Sequence, residues 1–562
     1  MTQKDYEHVC EQILNAVMRA VDISNMKHFT LDRTQVKSPY GIVYDSAAAS
    51  KYPMALIYTP PGTGKSNLIK DRIKLLRNIG IPDSKMLILN MNIARTNQMK
   101  IEFPDMHIKT FSEFMHDIIF ANYGFELSDT QSIANMLKLC TTDDTAKEFI
   151  KKLTVDDPQE SMVLLTLFIN HNAQAVLNIL QNINRSDYSL DAMLCQNMMY
   201  KLAKNPYDVD AIMINGVQNM PVTALAATLE YADRFKCNLF ITGNPDEAIY
   251  DFNMAYGNAM NLLSSYKNEG IDMIHLNNVP CMDKSIKCIA DMSPNGKIDK
   301  NIVMAANATT NYDVPLTEVL AAALGPNAPY MANKLRNKEP LLILGRSRND
   351  IKAIKQTIHT LYGQTYPDLK ITDLTEIQHH NPSYGAFATD YKNELSKQYP
   401  NGISMRQLFA EIYKILQYTI QHMEKWSYKK SGYKHDLNDI VDFYNAHLPE
   451  FGDPEAIIPT NDCIKKLIYI EADAIQKRIN ESQNMSMDEL TNADIILSTI
   501  HSATDIHVDN AIVVLKQNTD QIDKKLCHVA LSRAMKSEYI VFINYGDFRT
   551  PYQNYIDSHI IK

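Results

Sequence analysis

The chain has 562 residues, with 65 acidic against 56 basic side chains and a formal net charge of −9. That length calls for several domains, roughly three or four. A hydrophobic content of 45% and a charged content of 22% exclude a disordered chain. The acidic balance excludes a protein that grips nucleic acid by bulk positive charge, so any such binding needs a local basic channel.

The N-terminal residues place apolar side chains at helical spacing among charges and lack the apolar core of a signal peptide. The densest apolar run, Met162–Ile169, is interrupted by Thr166 and is too short for a membrane span. The eight cysteines are scattered without a CxxC pair, which points to reduced thiols rather than a zinc site or a disulfide framework. The expectation is a soluble cytoplasmic protein (nuclear in a eukaryotic host), with no membrane partner.

Short apolar runs alternate with longer helical patterns, the habit of α/β domains. Residues Ala55–Tyr58, Met86–Leu89, Ala211–Ile214, Leu239–Thr242, Leu341–Leu344 and Ala511–Leu515 read as buried parallel strands. Two stretches lack the alternation. The pattern is helical from Phe125 to about Lys204 and again from Lys370 to about Thr491, with breaks at His380-Asn381-Pro382 and Leu448-Pro449. The layout predicts two α/β cores, each interrupted by a mostly helical insertion.

Residues 59–66 read TPPGTGKS between the strand-like Met54–Tyr58 and a helical pattern from Asn67, the setting of a phosphate-binding loop. Gly62, Thr63 and Gly64 would turn backbone N–H groups toward phosphate. Lys65 would supply the mobile cation, and the Ser66 hydroxyl would ligate Mg²⁺. Thr59 stands where the strict pattern has glycine. Hydrolysis also needs acids just past a neighbouring strand. After Ala211–Ile214, however, the chain reads Asn215-Gly216-Val217-Gln218-Asn219, without an acid. Asp208 and Asp210 precede the strand and would have to span roughly 13–16 Å, at ~3.3 Å per residue.

In order along the chain, Leu31-Asp32-Arg33-Thr34-Gln35, the phosphate loop, Lys109-Thr110-Phe111-Ser112-Glu113-Phe114 and Gly243-Asn244-Pro245-Asp246-Glu247-Ala248-Ile249-Tyr250-Asp251-Phe252 form one series of elements. It continues through Gly345-Arg346-Ser347-Arg348-Asn349, Leu497-Ser498-Thr499-Ile500-His501-Ser502-Ala503 and Val529-Ala530-Leu531-Ser532-Arg533-Ala534. Together they resemble the motifs of the UvrD/Rep-type superfamily 1 DNA helicases. The resemblance implies two RecA-like parallel-sheet cores, 1A and 2A, with mostly helical inserted domains, 1B and 2B. Core 1A would comprise 1–110 and 205–272, 1B 111–204, core 2A 273–369 and 491–562, and 2B 370–490. It also implies ATP and Mg²⁺ as ligands, Gln35 as the reader of adenine, and Arg533 as the phosphate arginine of the last motif.

The departures from the family concentrate on hydrolysis. Its DExQD motif falls on Asn215–Asn219, so the metal-binding aspartate is Asn215 and the catalytic glutamate is Gly216. In GDPDQ, the first aspartate becomes Asn244 and the phosphate-sensing glutamine becomes Glu247. The NYRS motif falls on Asn278-Val279-Pro280-Cys281, which removes an adenine-stacking tyrosine and a γ-phosphate arginine. Electrostatic positioning is nearly the whole of phosphoryl-transfer catalysis. These losses therefore predict an impaired or inactive ATPase with weakened binding of ATP and Mg²⁺. Glu247 either opposes phosphate or forms a relocated metal site with Asp246.

The nucleic-acid side keeps more. Thr110, Phe111 and His501 match DNA-contacting positions, and Tyr250 and Phe252 stand where the family stacks bases, unless they are ordinary core packing. In the second insertion, Lys425–His435 interleaves bases with aromatics around Trp426, Lys429 and Lys430, either a phosphate-and-stacking patch or a solvated loop with Trp426 capping a core. The leading expectation is an accessory protein of replication, repair or transcription that binds single-stranded or junction DNA, with a protein partner. The alternatives are an active ATP-dependent 3′–5′ translocase using a displaced acid, and a non-catalytic docking subunit.

Overall fold

The computed structural model describes residues 3–38, 41–59, 64–91, 93–124, 204–251, 254–266, 270–276, 301–308, 340–362, 369–374, 384–422, 437–483, 493–503, 508–516, 526, 529–530 and 533–543. Their strands form two six-stranded sheets in which every pairing is parallel. The chain is therefore α/β, as the alternation of apolar runs and helical patterns predicts.

In the first sheet the elements run α1 (Gln3–Ala20), α2 (Ile42–Ala48), β1 (Met54–Tyr58), α3 (Lys65–Asn78), β2 (Met86–Asn90), α4 (Ile93–Glu102), β3 (His107–Thr110) and α5 (Phe111–Tyr123). They continue with β4 (Ala211–Asn215), α6 (Val222–Phe235), β5 (Asn238–Gly243), α7 (Ala259–Ser265) and β6 (Ile271–His275). The strand order is β3-β2-β4-β5-β1-β6. Strands β2, β4 and β5 are buried along their whole length, which is why they read as unbroken apolar runs rather than alternating ones. Register aligns the carboxyl ends. Tyr58 lies opposite Gly243, Asn215 opposite Thr242, and Asn90 opposite Asn215. The segments that follow β1, β4 and β5 thus leave the sheet along one edge, where open parallel sheets place their ligands.

Helix α3 is held against this sheet by Arg72, which is fully buried. Its guanidinium donates to the carbonyls of Ala48 (3.0 Å) and Ser50 (2.6 Å) and to Asn238 Oδ1 (3.0 Å), and it lies over the Phe240 ring. Burial pulls its pKa down to about 9.

The second sheet contains β7 (Asn301–Ala308), β8 (Leu341–Gly345), β9 (Ile371–Asp373), β10 (Ile495–Thr499), β11 (Val508–Lys516) and β12 (Ala534–Ile543), in the order β7-β12-β11-β8-β10-β9. Helix α8 (Arg348–Tyr362) follows β8 and opens on a capping box, with Asp350 accepting from Ser347 N and Oγ while Ser347 Oγ accepts from Asp350 N.

The chain divides into two compact units. One comprises Met1–Phe114, Asn205–Gln378 and Gln483–Lys562 and holds both sheets; the other comprises Met115–Lys204 and His379–Ser482. Described residues of the second unit form helices α9 (Tyr384–Asp390), α10 (Lys392–Gln398), α11 (Met405–His422), α12 (Leu437–Ala446) and α13 (Thr460–Gln483). Tyr384, Phe409, Phe443, Tyr444 and Phe451 pack as an aromatic cluster. The buried Glu471 carboxylate accepts from Gly385 N (3.0 and 3.1 Å) and joins α13 to α9. The break at Leu448-Pro449 is a short 3₁₀ turn. The stretch 125–203, the break at 380–382, and Trp426, Lys429 and Lys430 lie outside the described residues. Among the described residues no helix is long and apolar enough to cross a membrane.

Candidate functional site

Thr59 follows β1 directly and is fully buried. Its backbone N (2.9 Å) and its hydroxyl (3.2 Å) both donate to the Gly243 carbonyl, so a threonine in the glycine position serves as a bolt between β1 and β5. Gly62 and Thr63 lie outside the described residues. Gly64 adopts a left-handed conformation (φ +76°) and starts α3 with no side-chain cap. The first turn of α3, with Lys65 and Ser66, is accordingly an anion-attracting helix end. Tyr44 of α2 donates its hydroxyl to the Gly64 carbonyl at 3.2 Å. No local sequence signal marks Tyr44, because its partner lies 20 residues away.

At the end of β4, Asn215 is buried and donates Nδ2 to Asn90 Oδ1 at 3.0 Å, which ties the ends of β4 and β2 together. Gly216 is left-handed (φ +81°, ψ +56°) and opens the 3₁₀ turn Val217–Asn219. Gln218 and Asn219, both buried, turn toward the loop after β5. Gln218 Oε1 accepts from Asn244 N (3.1 Å), and Asn219 Oδ1 faces Ile249 N at 3.5 Å. The amides at these positions are structural clamps. Gly243 is required where it stands, since a Cβ would come within 2.9 Å of Gln218 Oε1, Met260 Sδ and Val217 Cγ1.

Glu247 closes the turn Pro245–Glu247 after β5 and is 4% exposed. Its Oε2 accepts from Lys65 Nζ, and its Oε1 accepts from Arg533 Nη2 at 3.2 Å. Arg533, 1% exposed, also donates Nε to the Val529 carbonyl at 2.8 Å. One carboxylate therefore holds the cation of the phosphate loop and the cation that precedes β12. Lys65, Asn215, Gly216, Glu247 and Arg533 line a single cavity of about 10 Å³, room for about one water.

Three residues along the same loop, Tyr250 donates its hydroxyl to the His501 carbonyl (2.6 Å), with its ring edge-on to the His501 ring. Burial lowers the His501 pKa; a backbone hydrogen bond with Ile249 opposes that shift, and the charge of Arg346 adds to it. Phe252 lies outside the described residues.

Three expected site residues are engaged elsewhere in this geometry. Gln35 Oε1 accepts from Asn78 Nδ2 (3.0 Å), at the last residue of α3. A 14-residue helix is roughly 20 Å long, so Gln35 sits the whole length of α3 away from Lys65 and is out of place as the adenine reader. Thr110 and Glu113 form a capping box for α5, with Thr110 N donating to Glu113 Oε2 (2.6 Å) and Glu113 N to Thr110 Oγ1 (3.1 Å). Thr110 is 8% exposed and its hydroxyl is engaged there, while Phe111 is 2% exposed, so both side chains are packed inside the fold.

The donor set does not fit Mg²⁺. Asn215 is neutral, with its Nδ2 on Asn90, and Glu247 is committed to two cations, so neither supplies the carboxylate that a Mg²⁺ site of the expected set needs. Among the described residues no group of three His, Cys, Asp or Glu side chains converges as a metal site. The relocated site at Asp246 and Glu247 is thus opposed by the ion pairs that Glu247 makes. Phosphate oxygens would suit Lys65, Arg533 and the end of α3, but that charge is already partly met. No family model matches the chain, and no curated protein matches it.

Proposed function

We propose that this chain is a UvrD-like superfamily 1 helicase-fold protein, built on two RecA-like cores with inserted helical domains. It has lost most of its capacity to hydrolyse ATP and binds single-stranded or junction DNA as an accessory factor in replication, repair or transcription. The observation that carries this reading is the cavity in which Lys65 and Arg533 face Asn215 and Gly216, with Glu247 between the two cations. Two cations suited to a transferring phosphoryl group meet there, and among the described residues no cluster of carboxylates joins them to hold a metal, which supports a site impaired in hydrolysis. The same ion pairs weigh against an active translocase with a relocated acid.

One set of contacts favours a second reading, a docking subunit that binds neither ligand. Thr110 and Phe111 are engaged inside the fold, and the Tyr250 hydroxyl is bonded to His501. Binding to a labelled single strand at several salt concentrations separates the two. A salt-dependent affinity, weakened by Phe252→Ala, supports the DNA-binding reading, and no detectable binding at low salt supports the docking subunit.

A further inference from the structure

We infer that Glu247 is a built-in substitute for the terminal phosphate of a nucleoside triphosphate: its carboxylate latches the first sheet to the second through Lys65 and Arg533, and a triphosphate enters only by displacing it. The inference rests on reading Lys65 and Arg533 as the phosphate-binding cations.

Three observations support it. The first is burial. The side chains of Lys65, Glu247 and Arg533 are 18%, 5% and 2% exposed, and an arginine so far from water needs a counter-charge, because an uncompensated buried ion costs several kcal/mol. Here the protein supplies that charge itself. The second is the span. Lys65 begins α3 of the first sheet and Arg533 immediately precedes β12 of the second, so the carboxylate sits where a γ-phosphate would join the two. The third is reinforcement by the same short loop, which meets His501 of the second sheet through Ile249 and Tyr250. Together these contacts join the two sheets through side chains of the chain itself. The Glu247 carboxylate occupies the hydrogen-bonding positions of both cations, so a phosphoryl group that takes Lys65 and Arg533 together must displace it.

A ligand that must first open a closed state binds more weakly by the fraction of molecules already open. The test uses the full chain and inorganic tripolyphosphate, with binding measured by equilibrium dialysis and by the shift in melting temperature. Glu247→Gln removes the internal anion and should bind tripolyphosphate about tenfold or more tightly than the wild type. Glu247→Asp keeps the charge but is one methylene too short to span both cations; it should tighten binding severalfold and guards against failure of the first variant to fold. Equal affinity in the wild type and in the folded variants overturns the latch. A parallel titration with a labelled single strand keeps the two ideas apart. The wild type should bind DNA with an affinity indifferent to tripolyphosphate, whereas Glu247→Gln should become sensitive to it. If neither protein binds DNA, the DNA reading fails and the tripolyphosphate result alone decides the latch.

Discussion

Gly216 leaves β4 in a left-handed conformation that a glutamate adopts only at a cost of about 1–2 kcal/mol. Space is not the obstacle, since the nearest atoms to a Cβ there belong to the Gln218 side chain at 3.6 Å or more. The obstacle is the backbone, whose positive φ suits glycine. Asn215→Asp with Gly216→Glu is therefore expected to lower the melting temperature and to restore no ATP turnover, as steady-state assays would read; recovered hydrolysis would mean that the rest of the site is still assembled. Glu230 on α6 carries a separate signature. Burial, aided by Asp233, raises its pKa from 4.5 to about 7. The folded state thus holds that proton more tightly than the unfolded chain. The protonated carboxyl favours folding fully below about pH 4.5, and the benefit is lost as pH rises to about 7. At about 1.4 kcal/mol per pH unit the effect is capped at about 3 kcal/mol. Glu230→Gln should raise the melting temperature at pH 8 and leave it nearly unchanged at pH 4.5.

Among the elements, the loop 244–251 has the most to explain, because it carries Glu247, Ile249 and Tyr250 to the second sheet. Tyr250→Phe removes one neutral hydrogen bond and should cost about 1 kcal/mol of stability in denaturant unfolding, whereas Phe252→Ala should weaken single-strand binding by about 1–3 kcal/mol. The reverse pattern would place the nucleic-acid contact on Tyr250. Arg72 is the corresponding fixture under α3, and Arg72→Met should destabilise by about 2–3 kcal/mol by stranding the carbonyls of Ala48 and Ser50. At this scale the sequence was informative where burial is two-sided. The cores of β1, β2, β4, β5, β8 and β11 are legible as apolar runs because both faces are covered. The edge strands β3, β6 and β9 are not, since His107–Thr110, Ile271–His275 and Ile371–Asp373 mix polar with apolar residues on partly exposed edges. The stretch Thr110-Phe111-Ser112-Glu113 reads by resemblance only as a DNA-contacting motif. Its S/T-x-x-E spacing is the physical signature of a capping box, and that is the role the structure gives it. Gln35, bonded to Asn78 at the far end of α3, illustrates a different point. A local motif fixes residue spacing, but only the path of α3 determines which end of the helix Gln35 meets.

For the whole molecule, a net charge of −9 says little about the site, where the balance is local. Lys65 and Arg533 share the Glu247 carboxylate beside Asn215 and Gly216, and among the described residues no cluster of acids stands there to hold a metal. Long-range partners such as Lys65, Glu247 and Arg533 lie 182 and 286 residues apart in their pairs, and no sequence window joins them. Their meeting is a product of two parallel sheets, and it carries the proposal that Glu247 latches the phosphate-binding cations in a protein impaired in ATP hydrolysis. Steady-state ATP hydrolysis by the wild type, with and without single-stranded DNA and beside Lys65→Ala, tests that account most directly. The expected result is a wild-type rate indistinguishable from that of Lys65→Ala under both conditions. DNA-stimulated turnover in the wild type that disappears in Lys65→Ala would contradict it.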